Sequence, residues 1–173
     1  LVAMMVGRPL ESFYTRTYNE LGSPVLEVRN LTKHGVFKDV SFKVHAGEIL
    51  GFSGLVGAGR SEIMTAVFGA DSYDSGEIYL KGKKIKNKNP MQAINNGISL
   101  MPEDRKKQGL VLVNSCSFNM VLSSLKYVMN GMLESKKKIA QVYDTYSRKM
   151  RIKAASPDIE VGSLSGGNQQ KIV

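Results

Sequence analysis

The feature that most constrains this chain is a glycine-rich segment between two regular elements. Residues 54–61 read GLVGAGRS, after the apolar run 49–52 and before the helix-forming stretch 62–68. The apolar character of residues 48–53 predicts a buried strand. Glycine tolerates positive φ, so the chain can turn tightly here and direct backbone N–H groups inward. The order of strand, glycine loop and helix therefore predicts an α/β fold with an anion-binding turn.

Residues 54–61, which we name the phosphate loop, differ by one residue from the pattern G-x-x-x-x-G-K-[ST], because Arg60 replaces the lysine. We predict that nucleotide is bound by Gly54, Leu55, Val56, Gly57, Ala58, Gly59, Arg60, Ser61 and Glu62. The Ser61 hydroxyl is the predicted Mg²⁺ ligand. A guanidinium keeps the positive charge but is a broad planar fork, so nucleotide binding should survive better than hydrolysis. The alternative is a strand-to-helix turn that binds no ligand.

Size and composition fit a globular protein in a reducing compartment. The 173 residues can form one domain that buries roughly 70% of its unfolded surface. No apolar run approaches the length of a membrane span, and nothing resembles a secretory signal. The lone Cys116 cannot form an internal disulfide, and we predict a structural role for it.

The net charge of +9 raises nucleic acid or an anionic membrane as partners. The basic residues cluster at 81–88, 105–107 and 136–138, with little of the interleaved aromatic character that base stacking uses. Solvated faces explain these clusters better, so we expect no nucleic-acid partner.

Periodicity predicts the remaining elements. Residues 1–24 are predicted to be a linker or the tail of a preceding unit, and 25–173 a nucleotide-binding domain with a helical part at about 112–160. Strands are predicted at 25–31 and 37–44, as an antiparallel hairpin, and at 77–80 and 98–101. Helices are predicted at 90–96, from 117 to about 131, and along a stripe from Ile139 to Met150.

The last motif of the chain carries a family resemblance. Residues 164–171 read LSGGNQQK, a serine and two glycines at a loop-to-helix junction. Together with the phosphate loop, this segment resembles the signature motif of ATP-binding cassette (ABC) proteins. The resemblance implies an α/β P-loop NTPase fold (ABC cassette) with a peripheral antiparallel β hairpin and a helical subdomain. The segment GLVGAGRS, the EDRK of 103–106 and the final NQQK most resemble the second cassette of bacterial importers for ribose, galactose or xylose.

The resemblance implies roles for individual residues. In that family, two cassettes sandwich ATP, and the signature of one faces the phosphate loop of the other. The signature residues would be Leu164, Ser165, Gly166, Gly167, Asn168 and Gln169. Glu103 would stand where the family has a metal-sensing glutamine, and Phe37 and His34 are weak candidates for stacking on adenine.

The resemblance also implies ATP and Mg²⁺ as cofactors and a peripheral location on the cytoplasmic face of the bacterial inner membrane. The implied partners are a first cassette, transmembrane permease subunits and, indirectly, a periplasmic sugar-binding protein. The family's acidic metal-binding strand, catalytic glutamate and switch histidine follow the signature, and Val173 precedes all three. We therefore expect a C-terminally incomplete fragment that does not hydrolyse ATP alone.

Two other functions remain open. One is a soluble ABC ATPase that acts on nucleic acid or ribosomes, which the net charge suggests. The other is a P-loop kinase, in which residues 164–171 would have no purpose.

Overall fold

The computed structural model describes residues 20–173. These residues form two compact units, one ending at Ser99 and the other comprising Leu100–Val173. Almost all of the predicted linker, residues 1–24, lies outside the described residues. Within the described part, no helix is both long enough and apolar enough to span a bilayer.

The first unit contains a four-stranded antiparallel sheet. Its strands are β1 (Pro24–Lys33), β2 (Phe37–His45), β3 (Ser75–Leu80) and β4 (Lys83–Ile85), in the order β2-β1-β3-β4. The β1–β2 hairpin and the strand at 77–80 confirm the predictions from alternating polarity. Val28 lies opposite Phe42 on one side and Ile78 on the other, which aligns an apolar row across the sheet.

Helix α1 (Arg60–Phe68) covers this apolar row. Its buried residues Ile63, Ala66 and Val67 pack in one core with residues of β1, β2 and β3. The short helix α2 (Pro90–Asn95) begins as predicted: Asn89 accepts a 3.0 Å hydrogen bond from the Gln92 N–H. The core of this unit therefore fixes the start of α1 against the sheet.

Two predicted strands are wrong. Residues 48–53 and 98–101 form no strand, and the Ile49 side chain is 98% exposed. A buried strand needs hydrogen-bonded neighbours, and the strands described in the first unit pair with one another instead. Within this segment Ile49 is exposed, whereas the Phe52 ring packs edge-on against the Phe42 ring with the centroids 5.0 Å apart.

The second unit is mostly helical, and one predicted helix is interrupted. Helix α3 (Cys116–Val121) runs into a 3₁₀ turn at Leu122–Ser124, then α4 (Leu125–Val128) and a hairpin of β5 (Met129–Asn130) and β6 (Leu133–Glu134). The Ser124 hydroxyl donates to the Val121 carbonyl (3.3 Å), a local bond that competes with regular helix. The helix predicted from 117 to about 131 is therefore confirmed as helical structure over 116–128, but it is interrupted by a 3₁₀ turn and ends at Val128.

The remaining helices of this unit pack around a second core. Helix α5 (Lys136–Lys149) confirms the second amphipathic helix, and α6 (Gly166–Ile172) follows the signature serine. The core comprises Leu110, Cys116, Tyr143, Val161 and Ile172. Burial raises the pKa of the Cys116 thiol, which supports its structural role.

Candidate phosphate-binding segments

The phosphate loop is an exposed turn that leads directly into α1. Gly57 and Gly59 have φ of 83° and 78°, in the left-handed region that favours glycine. The Ala58 N–H donates to the Leu55 carbonyl (3.1 Å), which closes the turn between them. Val56, at the tip, is 99% exposed. The predicted glycine turn is present, although the segment before it is not a strand.

Gly57 and Gly59 differ in their surroundings. A Cβ on Gly59 would lie 3.1 Å from the Val36 carbonyl oxygen and 3.5 Å from the Phe37 Cβ, whereas one on Gly57 would have no neighbour within 4 Å. Gly59 therefore lets the loop approach the β1–β2 hairpin closely. Gly57 leaves its outer side open, and there an anionic ligand can reach the backbone. These residues fit a phosphate chain.

The start of α1 supplies the polar groups. Arg60 is half-buried, and its Cδ lies 3.7 Å from the position of a Cβ on Gly54, so its aliphatic stem covers the loop. Ser61 and Glu62 are exposed. The first turn of this nine-residue helix presents backbone N–H groups and the positive end of the helix dipole. This combination favours a polyanion.

A hollow of about 450 Å³ is formed by the β1–β2 hairpin. Its lining includes Val36, which contacts the phosphate loop, and also His34 and Phe37. Phe37 belongs to the first core and is only 8% exposed, whereas His34 is exposed. Of the two residues named for adenine stacking, only the His34 ring is available on the surface.

The two predicted Mg²⁺ ligands lie in different units, Ser61 at the start of α1 and Glu103 in the loop after residue 101. Both are exposed. Within residues 20–173, no three His, Cys, Asp or Glu side chains are grouped so that they could hold a metal ion. Mg²⁺ typically takes one or two protein ligands together with phosphate oxygens and water, so Ser61 fits a metal carried by a nucleotide.

The signature segment, residues 164–169, presents a small polar turn to solvent. Ser165, Gly166 and Gly167 are exposed, and Ser165 precedes the first turn of α6. The Ser165 hydroxyl accepts a 3.1 Å hydrogen bond from the Asn168 amide. The Asn168 side-chain oxygen in turn accepts from the Lys153 N–H (3.0 Å). Asn168 thus ties the exposed turn to the chain before it.

The buried side chain of Gln169 holds the backbone before this turn in place. It is 3% exposed, and its side-chain N–H groups donate to the carbonyls of Val161 (3.3 Å), Gly162 (3.3 Å) and Leu164 (3.1 Å). A buried amide that satisfies several carbonyls rigidifies the backbone that carries them. The sequence names Gln169 among the signature residues, and its burial indicates that it supports the exposed turn rather than contacting a ligand.

Sequence reasoning missed one neighbour of the signature. Arg105, far away in the chain, donates through Nε to the Gln169 side-chain oxygen (3.3 Å). The sequence places Arg105 in a basic cluster and in the EDRK segment of the family resemblance, and neither pattern links it to Gln169. Neither periodicity nor motif spacing links two positions so distant in sequence, so a resolved contact was needed to find it.

Comparison with known proteins places the chain. The family model described as "ABC transporter" matches residues 37–173. The chain belongs to the ABC transporter family. Over its whole length the cassette is 49% identical to the ribose import ATP-binding protein RbsA of Lacticaseibacillus paracasei and 44% identical to that of Bacillus subtilis. It spans 35% of the length of each of these curated relatives.

Solved structures show the same fold at low sequence identity. The cassette superimposes on MJ1267, an ATP-binding cassette of an ABC transporter, with a TM-score of 0.66 at 20% identity. That match covers 86% of this chain and 62% of MJ1267. For the dimeric bacterial cassette MJ0796 the TM-score is 0.64 at 18% identity, with 85% and 66% covered. The predicted P-loop NTPase fold of an ABC cassette is confirmed.

Proposed function

We propose that this cassette binds ATP as part of a subunit that energises the import of ribose or a related sugar across the bacterial inner membrane. The observation that carries the proposal is the 49% identity, over the entire chain, to a ribose import ATP-binding protein. Membership of the ABC transporter family leaves the kinase alternative without support. The names of the relatives likewise favour import over action on nucleic acid or ribosomes.

In this proposal the phosphate loop holds the nucleotide. Backbone N–H groups near Gly57 and at the start of α1 contact the phosphates, and Arg60 neutralises their charge. The Ser61 hydroxyl would hold Mg²⁺ carried by the nucleotide, and the ion would offset negative charge on the phosphates; Glu103 stays a predicted metal ligand. Because Arg60 is a planar fork where a lysine is usual, we propose that this site mainly retains ATP rather than hydrolysing it rapidly.

The signature segment serves a second site in the same proposal. Exposed Ser165, Gly166 and Gly167 contact the terminal phosphate of ATP held by a partner cassette. Closure of the paired cassettes then drives permease subunits at the cytoplasmic face of the membrane, and a periplasmic binding protein delivers the sugar. The similarity of the phosphate loop supports assignment to the second of two cassettes.

Substitution of Arg60 in the complete gene product, reconstituted with its permease, tests the role of the phosphate loop. Arg60→Ala should weaken binding of a fluorescent ATP analogue about tenfold or more, because a charged contact to phosphate is lost. Arg60→Lys should retain binding and raise ATP turnover. The matched control is Arg148→Ala, on an exposed position of α5. Unchanged binding in Arg60→Ala, or unchanged turnover in Arg60→Lys, would contradict the assignment.

The sugar assignment needs a separate measurement. With the complex of gene product and permease reconstituted in lipid vesicles, ribose supplied with its binding protein should stimulate ATP turnover and appear inside the vesicles. Stimulation by nucleic acid or ribosomes, with no sugar uptake, would favour the alternative.

A further inference from the structure

A short π-helical turn, Arg105–Gly109, packs against the signature helix within the second unit. Asp104 precedes the turn, and its carboxylate accepts hydrogen bonds from the N–H groups of Lys106 (3.0 Å) and Lys107 (3.2 Å). These bonds hold the backbone of the turn in place. The position of the Arg105 side chain is therefore set locally as well as by its partners.

Arg105 contacts the signature at two points. Its Nε donates to the Gln169 side-chain oxygen (3.3 Å), and a terminal nitrogen lies 2.7 Å from where a Cβ on Gly166 would stand. A side chain at position 166 would therefore displace the flexible end of Arg105 from its present position. The guanidinium thus lies directly over the start of α6.

Two further contacts join residues 101–109 to the segment that contains α6 and Val173. The Gln170 side-chain N–H donates to the Met101 sulfur (3.4 Å). At Gly109, a Cβ would lie 3.0 Å from the Pro102 ring and 3.1 Å from the Val173 side chain. Met101, Arg105 and Gly109 therefore lie beside the stretch of chain from Gly166 to Val173.

We propose that Arg105 is a positioning residue for the signature segment. The two ends of a glutamine amide have nearly the same shape but opposite hydrogen-bonding character. A guanidinium can only donate, so Arg105 selects the orientation in which oxygen faces it and the N–H groups face the carbonyls of Val161, Gly162 and Leu164. The orientation of one side chain thereby fixes the backbone that ends at Ser165.

This role rests on the proposed function, in which the signature contacts phosphate held by a partner cassette. Glu103, the candidate metal ligand, precedes Arg105 by two residues. A displacement of the 101–109 stretch is therefore transmitted through Arg105 to the signature turn. Arg105 thus links a loop expected to sense metal to a segment expected to bind the partner's nucleotide.

The test uses the complete gene product with its permease and two readouts. Arg105→Ala should increase amide hydrogen exchange about tenfold in residues 161–168, because a hydrogen bond from a charged donor is lost, and leave residues 137–148 unchanged. It should also lower kcat for ATP several-fold without changing KM, because the phosphate loop is intact. Gln169→Ala should change both readouts at least as much, because it also removes the donors to three carbonyls, and the double variant should be no worse than Gln169→Ala.

Two variants provide controls. Lys106→Ala removes an exposed charge from the same turn, keeps the backbone N–H that donates to Asp104, and should change neither readout. Arg105→Lys keeps the charge but not the planar fork, and should lie between wild type and Arg105→Ala in both readouts. If Arg105→Ala folds poorly, Arg105→Lys alone still decides the matter, since no change in exchange at 161–168 would overturn the proposal.

Ser165→Arg separates failure of this inference from failure of the proposed function. If Ser165→Arg leaves turnover unchanged, the signature does not complete a nucleotide site and the proposed function fails. If Ser165→Arg abolishes turnover while Arg105→Ala alters neither exchange nor kcat, only the positioning role fails. A general rise in exchange that includes 137–148 would also overturn it, because it would indicate a loss of overall stability.

Discussion

Replacing Gly59 by alanine should destabilise the cassette more than the same change at Gly57. Both glycines have positive φ, 78° and 83°, so both alanines pay the cost of left-handed backbone, about 1 kcal/mol. Only at Gly59 would the new Cβ also meet a backbone atom, the Val36 carbonyl oxygen at 3.1 Å. Comparison of Gly57→Ala with Gly59→Ala therefore separates the effect of backbone strain from the effect of close packing.

The structure gives the size of the difference. At Gly57 the added methyl enters open space, so the cost stays near about 1 kcal/mol, which lowers Tm by about 2–4 °C for a chain of this size. At Gly59, either the loop or the hairpin must shift by a few tenths of an ångström. Overpacking of this kind adds at least about 1 kcal/mol, for a total Tm decrease of about 4–8 °C.

Thermal unfolding followed by circular dichroism measures both variants beside the wild type. Equal decreases in Tm would refute the conclusion that Gly59 holds the phosphate loop against the hairpin. Binding of a fluorescent ATP analogue gives a second comparison. Gly59→Ala should weaken binding more than its stability loss explains if the altered loop no longer presents its N–H groups.

Three further predictions concern stability and reactivity. Hydrogen bonds from Arg29, and to a smaller extent from Lys43, lower the pKa of Glu27 from 4.5 to about 2. The ionised Glu27 therefore stabilises the fold fully above pH 4.5, and this contribution is lost as the pH falls through about 2. Glu27→Gln should flatten an acid titration followed by circular dichroism in that range. Asn87→Ala should cost about 1–3 kcal/mol in urea unfolding, because the buried amide that donates to the Val67 carbonyl (2.9 Å) is removed. Cys116, fully buried with a raised pKa, should react with a disulfide reagent at pH 8 only after urea unfolds the chain, and rapid reaction of the native protein would contradict its position in the core.

Local signals in the sequence predicted local structure well. Alternating polarity identified the β1–β2 hairpin, and the Asn89-Pro90 pair identified the start of α2, because both depend on neighbouring residues. The glycine turn and the helix after it were likewise predicted. Motif spacing and resemblance led to the family that the comparisons show.

Features that depend on distant residues were not predicted. The apolar segment 48–53 is not a strand, because strand pairing requires partners that local composition does not specify. The helix is interrupted after Val121, where the Ser124 hydroxyl bonds the Val121 carbonyl within an otherwise regular apolar stripe. At the candidate site, the separate behaviour of Gly57 and Gly59 follows from a hairpin that approaches only one of them.

Strand β4, one of the two edge strands of the sheet, carries charge that affects whether a second copy of this protein can pair with it at high concentration. Its sequence is Lys-Lys-Ile, and further lysines flank it at positions 81, 86 and 88. A second copy that tried to extend the sheet at this border would bring its own lysines against these. Such electrostatic repulsion disfavours pairing of a second copy along β4, one of the two edges of this sheet.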